Sequence, residues 1–338
     1  MDIVLLLLVS GIWDEQHPNN RGFDLFYGMK AGGRDYFYNE KKSDRPGDER
    51  NLLLNDRQVK FEKYLTDAFS EKAVEFINES SQPFMMYLAY NAVHTPMQAT
   101  DEDMAKFEGH PRQKLAAMTY ALDRGVGTVI RGLKDSGKFD NTLIFFLSDN
   151  GGATTNQSSN YPLKGFKGNK FEGGHRVPYF VVWKNGIPAG KPYDGLVSSL
   201  DIFATAIDAA SISKTRNRLD GVSLLPYLKG KKGEPHKVLY WRKMDTRAIR
   251  SGDYKLIITH GVDSVLYNIR RDPEEMNNLI NKEPDLYRKL AKKLAKWEKN
   301  ECIEPSWLEE GWRKITNRYH QQLMHNEIKT AQDLYKKK

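Results

Sequence analysis

The 338-residue chain carries 52 lysines and arginines against 44 acidic residues, a net charge of +8, with 39% hydrophobic and 28% charged residues. That is ordinary soluble-globular composition, with length for one large domain and a smaller one. Its single cysteine, Cys302, excludes an internal disulfide and any multi-cysteine metal site, and no zinc-finger, RRM-type or helix-turn-helix pattern accompanies the basic surplus, so nucleic acid is not an expected partner.

The chain opens on an apolar run, Ile3 to Val9, far too short to span a bilayer. Only Asp2 precedes it and Ser10-Gly11 is a poor cleavage site, so a buried strand, or the scar of a missing upstream segment, fits it better than a signal peptide. Residues 10–60 are rich in Gly, Asn, Asp and Arg and read as loop with short elements. Thr66 to Asn78 has helical apolar spacing with Thr66 as candidate N-cap. Phe84 to Tyr90 reads as a strand ending at Asn91 and His94, and Gln113 to Leu133 as a long helix. Thr142 to Leu147 and Pro178 to Trp183 are further strands, and Val197 to Ala210 a helix packed on them.

Strand-loop units separated by a helix predict an α/β fold, a mostly parallel sheet flanked by helices. After a polar stretch ending in KGKKGEPHK, the pattern changes. Val238–Trp241, Thr246–Ile249, Tyr254–Thr259 and Ser264–Asn268 alternate like a small antiparallel sheet. Asp285 to Lys299 follows as a helix, with Leu286, Leu290, Leu294 and Trp297 on one stripe and a basic outer face. The division predicted is a larger domain over 1–230 and a C-terminal subdomain over 231–338.

Three segments carry candidate chemistry. Asp149 and Asn150 close the Thr142–Leu147 strand. Asn150-Gly151 is a strong turn signal, but a carboxylate and an amide carbonyl at a strand's end are also hard oxygen donors suited to Ca²⁺ or Mg²⁺. Lys167, in GFKGNKFEGG, lies among glycines and is placed to hold a tetrahedral oxyanion; Lys164 and Lys170 compete for that role. The spacing is not that of a P-loop. His94, in NAVHTP, is a candidate proton donor to a leaving group.

In order along the chain, RGFDLFYG (Arg21–Gly28), NAVHTP, LSDNGG, GFKGNKFEGGHRVP (Gly165–Pro178), RSGDYKLI and LYNIRRDPEE resemble the landmarks of the sulfatase family, within the alkaline-phosphatase-like superfamily. The resemblance implies sulfuric ester hydrolysis on a sulfated carbohydrate or aryl sulfate. It also implies metal ligation, usually of calcium, by Asp149 and Asn150, with Lys167 on the sulfate and His94 on the sulfate or the leaving oxygen. It suggests a periplasmic, secreted or lysosomal setting.

Two family elements are missing from this sequence: the Asp-Asp metal pair of the first strand, and the Cys- or Ser-x-Pro-Ser-Arg motif whose first residue becomes formylglycine. A third, Gly-Lys-Trp-His, corresponds here to Gly11-Ile12-Trp13-Asp14. The resemblance thus implies that roughly the first hundred residues of such an enzyme are not in this chain. Without a nucleophile, and with two of the metal's protein ligands lacking, the chain alone is expected to be catalytically inactive and poorly stable. A non-catalytic protein that binds sulfated glycans or other anions is the alternative.

Overall fold

The structure, a computed structural model, describes residues 2–8, 16–156, 158–212, 218–302 and 310–336. They form two compact units, Met1–Asp140 and Asn141–Lys338.

In the first unit the elements follow as β1 (Asp2–Leu8), β2 (Leu25–Met29), β3 (Leu53–Leu54), β4 (Arg57–Gln58), α1 (Leu65–Glu79), β5 (Phe84–Leu88), α2 (Asp101–Ala105) and α3 (Gln113–Asp135). The sheet order is β4-β3-β2-β1-β5, and β1 pairs in parallel with both β2 and β5. The apolar run at the start is therefore an inner strand, paired on both sides. The Gly11–Asp14 tetrapeptide lies outside the described residues.

Helix α1 begins at Leu65, so Thr66 is not its N-cap but a buried first-turn residue whose carbonyl accepts the Ser70 hydroxyl at 2.8 Å. The reason is packing. Leu65, Ala68 and Phe69 join Met118 and Ala121 of α3 in one buried cluster, and burying each large side chain contributes roughly 1.5–3 kcal/mol.

In the second unit come β6 (Ile144–Leu147), α4 (Glu172–His175), β7 (Tyr179–Val182), α5 (Asp201–Ala209), α6 (Leu225–Leu228), β8 (Val238–Lys243), β9 (Thr246–Ser251), β10 (Tyr254–Thr259), β11 (Asp263–Asn268), α7 (Pro284–Glu301), α8 (Glu310–Met324) and α9 (Asp333–Lys336). Strand β6 pairs antiparallel with β7, so the parallel pairing is between β1 and its neighbours in the first unit. Helix α5 starts four residues later than the sequence pattern because Ser198 to Leu200 form a turn onto Asp201. That fully buried carboxylate accepts from the Ser198 and Val222 amides at 2.7 and 2.9 Å and lies 2.7 Å from His236 Nε2.

Strands β8 to β11 form the expected antiparallel sheet, in order β11-β10-β9-β8. Its alternation separates two buried faces. Ala248, Ile257, Val265 and Tyr267 pack on Phe166, Phe171 and on Leu323 and Met324 of α8. Ile249, Leu256 and Leu266 pack on Leu290 and Leu294 of α7. Glu298 of α7 pairs with Arg247 of β9 at 2.5 Å. Among the described residues no helix is long and apolar enough to cross a membrane.

One α8 residue makes stability depend on pH. His320 is fully buried, its Nδ1–H donates to the Thr316 carbonyl at 2.8 Å, and its Nε2 has no partner among the described residues. Burial, against the Thr316 bond and with the Lys170 and Lys243 charges, lowers its pKa to about 4. The folded value lies below the unfolded one, so this contribution is complete above about pH 6.5 and is lost as pH falls toward about 4, at about 1.4 kcal/mol per pH unit. Urea unfolding at pH 7 and pH 5 should show that loss, and His320→Leu should remove about one proton from the slope. An unchanged slope in the variant would refute the assignment.

Candidate functional site

The turn after β6 and the glycine loop before α4 are one backbone assembly. Gly151 donates its amide to the Gly174 carbonyl at 3.1 Å, and Lys167 donates its amide to the Gly152 carbonyl at 3.0 Å. The approach is so close that a Cβ at Gly151 would lie 1.8 Å from the Gly173 carbonyl oxygen, and one at Gly173 would lie 2.7 Å from the carbonyls of Lys164 and Gly165. The glycines of the sequence motif are thus explained by contact between backbones. The result brings Asp149, Asn150 and Lys167 into one turn-and-loop region.

Asp149 is exposed, and the Asn150 side-chain amide donates to its Oδ1 at 2.7 Å. Asp149 Oδ2 and the Asn150 amide oxygen are then left without a hydrogen bond among the described residues. A carboxylate and an amide oxygen fit a hard divalent cation in kind, but they are two donors of the roughly six to eight that calcium takes. Among the described residues no group of three or more His, Cys, Asp or Glu side chains comes together to complete the set.

The competition among the lysines resolves by environment. Lys164 is fully buried, donates to the Glu275 carbonyl at 3.0 Å and to Asn326 Oδ1 at 2.5 Å, and stacks over Phe171. It braces the loop. Lys167 is exposed at the loop's tip. Lys170 is half-buried; burial, with the charges of Lys243 and Lys255, lowers its pKa to about 8.

Beneath the loop lies a network that the sequence did not suggest. Lys255 of β10, fully buried, donates to Glu172 Oε1 at 2.8 Å and pairs with Glu275 Oε1 at 3.1 Å. Glu275 Oε2 accepts the Glu172 amide at 2.6 Å, and His175 Nε2 lies 3.0 Å from the Lys255 ammonium. Burial alone would raise the Glu172 pKa, but Lys255, His175 and Arg250 hold it at about 2. For Glu275 burial wins, with the Glu172 charge adding to it, and its carboxyl is pushed up to about 7.

His94 belongs to the first unit, beyond the end of β5. The buried Tyr36 hydroxyl lies 2.7 Å from the Asn91 carbonyl and 2.9 Å from the His94 carbonyl, which fixes the loop's backbone while the imidazole stays exposed. Its Nδ1 lies 2.8 Å from the Thr95 carbonyl, so Nδ1 carries the proton and Nε2 faces outward. Tyr36 could not have been singled out from sequence, where it is one tyrosine in a polar stretch. Cys302 is half-buried just beyond α7.

Comparison with known proteins gives a consistent answer. A family model described as Sulfatase matches residues 9–212, and one described as N-sulphoglucosamine sulphohydrolase, C-terminal, matches residues 167–300. The uncharacterized sulfatase YdeN of Escherichia coli K12 is 38% identical over 238 residues, 68% of this chain and 40% of that protein. Arylsulfatase J of Mus musculus is 28% identical over 345 residues, 83% of this chain and 57% of its own length. The chain thus spans about half the length of the curated relatives it matches. The crystal structure of Ps i-CgsB in complex with k-i-k-neocarrahexaose superposes with a TM-score of 0.83 at 35% identity, covering 96% of this chain and 77% of that one. These likenesses bear out the α/β, alkaline-phosphatase-like class with its C-terminal antiparallel sheet and helix.

Proposed function

Because the chain belongs to the sulfatase family, we propose that it supplies part of the active site of a sulfuric ester hydrolase acting on a sulfated carbohydrate. Sulfatases generally use a divalent cation and a formylglycine. On this reading Asp149 and Asn150 ligate the cation, Lys167 holds the sulfate, and His94 meets the sulfate or the leaving oxygen through Nε2, which donates only when it carries the second ring proton. Residues 1–230 then form the catalytic side and 231–338 the accessory subdomain. The observation that carries the proposal is the pair of backbone bonds, Gly151 to Gly174 and Lys167 to Gly152, that locks the acid–amide turn to the lysine loop.

The residues divide the work by charge. Lys167 offers a point positive charge to the sulfate oxygens, where preorganised donors stabilise a developing charge most effectively. A cation at Asp149 and Asn150 would supply Lewis-acid polarisation of the reacting oxygens. The carbohydrate preference is supported by the solved relative that holds a neocarrahexaose.

The sequence contains no formylglycine acceptor motif, so this chain alone is expected to show no calcium-dependent turnover of an aryl sulfate. Measurable turnover would refute that part. In a parent enzyme that supplies the nucleophile, Asp149→Ala is expected to abolish calcium binding and activity together, and surviving activity would sink the metal assignment. For the chain taken by itself, a binding role toward sulfated glycans is the second reading, favoured by the cationic loop that outlasts any loss of turnover.

A further inference from the structure

Lys60, Lys63 and Lys106 each meet a glutamate, at 3.1, 2.6 and 2.8 Å. Lys170 and Lys243 are half-buried, and neither ammonium has an acidic partner among the described residues. They come from different elements, Lys170 from the loop before α4 and Lys243 from the last position of β8. The Lys243 Nζ stands 3.0 Å from where a Cβ on Gly168 would be, and nothing else beyond the glycine's two chain neighbours comes within 4 Å of that point. Gly168 adopts φ +95°, a conformation that leaves this side of the loop bare, one residue from Lys167.

The nearby carboxylates are already engaged. Glu172 and Glu275 are held by Lys255, and Asp245 accepts from Arg313 Nε at 2.6 Å and Asn317 at 2.8 Å. The like charges affect one another. Burial and then the Lys167 charge lower the pKa of Lys243, and burial, then Lys243 and Lys255, lower that of Lys170. Three neighbouring cations without counter-charge are unfavourable in the free protein, and an oxyanion between them would offset that cost.

We infer that Lys243, standing over the bare side of the Gly168 turn, forms with Lys170 of the same loop a second oxyanion subsite that takes a sulfate ester adjacent to the one held by Lys167. The ligand class is then a multiply sulfated saccharide. The inference rests on Lys167 contacting the first sulfate. A phosphate ester shares the tetrahedral oxyanion chemistry, so a sugar bisphosphate belongs in the test.

The test is calorimetric titration of the 338-residue chain with a disulfated disaccharide, its monosulfated counterpart and a sugar bisphosphate. The disulfated ligand is expected to bind on the order of tenfold tighter than the monosulfated one, and more tightly than the bisphosphate. Lys170→Met and Lys243→Met should each reduce that preference to about threefold or less, while Lys167→Met weakens both sulfated ligands alike. If Lys167→Met changes neither, the underlying sulfate reading fails. If Lys167→Met weakens both but the other two variants keep the full preference, only the second subsite is overturned. Tighter binding of the bisphosphate would overturn the sulfate assignment. Acetylation of the unmodified chain at about pH 8, read by mass spectrometry, needs no variant to fold. The disulfated ligand should protect Lys170 and Lys243; protection of Lys167 alone would refute the subsite.

Discussion

Replacing Lys255 by methionine is expected to cost about 3–5 kcal/mol, because it leaves two buried carboxylates without their shared cation. Glu172 belongs to the loop assembly and Glu275 to the segment after β11, so Lys255 is the point where the C-terminal sheet and the glycine loop are charge-neutralised together. The pH dependence separates this account from simple loss of packing. Without the ammonium, burial raises both carboxyl pKa values above their unfolded values near 4.5. A group with a raised folded value loses stability as pH climbs past its unfolded value, so the deficit should be larger at pH 7 than at pH 5. Urea denaturation followed by tryptophan fluorescence would show this. Adding Glu275→Gln to the variant should recover part of the loss, and an equal deficit at both pH values would defeat the network account.

Gly151→Ala carries the second large effect, about 3 kcal/mol. The new methyl would sit 1.8 Å from the Gly173 carbonyl oxygen, which is backbone and cannot swing aside. The turn must retreat, and the bond from the Gly151 amide to Gly174 goes with it, so sulfate-ligand affinity should fall along with stability. Gly311→Ala is the matched control. It lies in α8 with nothing within 4 Å of its Cβ position, and there the change should stabilise by up to about 1 kcal/mol. If Gly151→Ala behaved like Gly311→Ala, the close approach would not exist.

The elements legible in the sequence were those with one clean period. Tyr254–Thr259 alternates and is β10 to the residue, and the leucine stripe of α7 is buried as its spacing requires. Strand β2 was hidden because Leu25–Met29 has a glycine and no alternation; its order comes from pairing with β1. Helix α8 was hidden because Thr316 and His320, both polar, occupy half of its buried positions. At the candidate site, Asp149, Asn150 and Lys167 were visible through glycine punctuation and strand position. The Lys255 network was not, since its partners are separated by 83 residues in the case of Glu172, and a lysine in an alternating strand looks like an outward-facing one. Lys243 was overlooked because the predicted strand stopped at Trp241, two residues short of the end of β8.

The C-terminal sheet is a single layer with the lysine loop resting on one side and α7 on the other. A cavity opened at Leu290 or Leu294 therefore lies only one strand's thickness from the glycine loop that carries Lys167. Damage to the rear support would reach the glycine loop mechanically, by letting β9 and β10 sag backwards. Substitutions on α7 should therefore disturb the glycine loop without touching it.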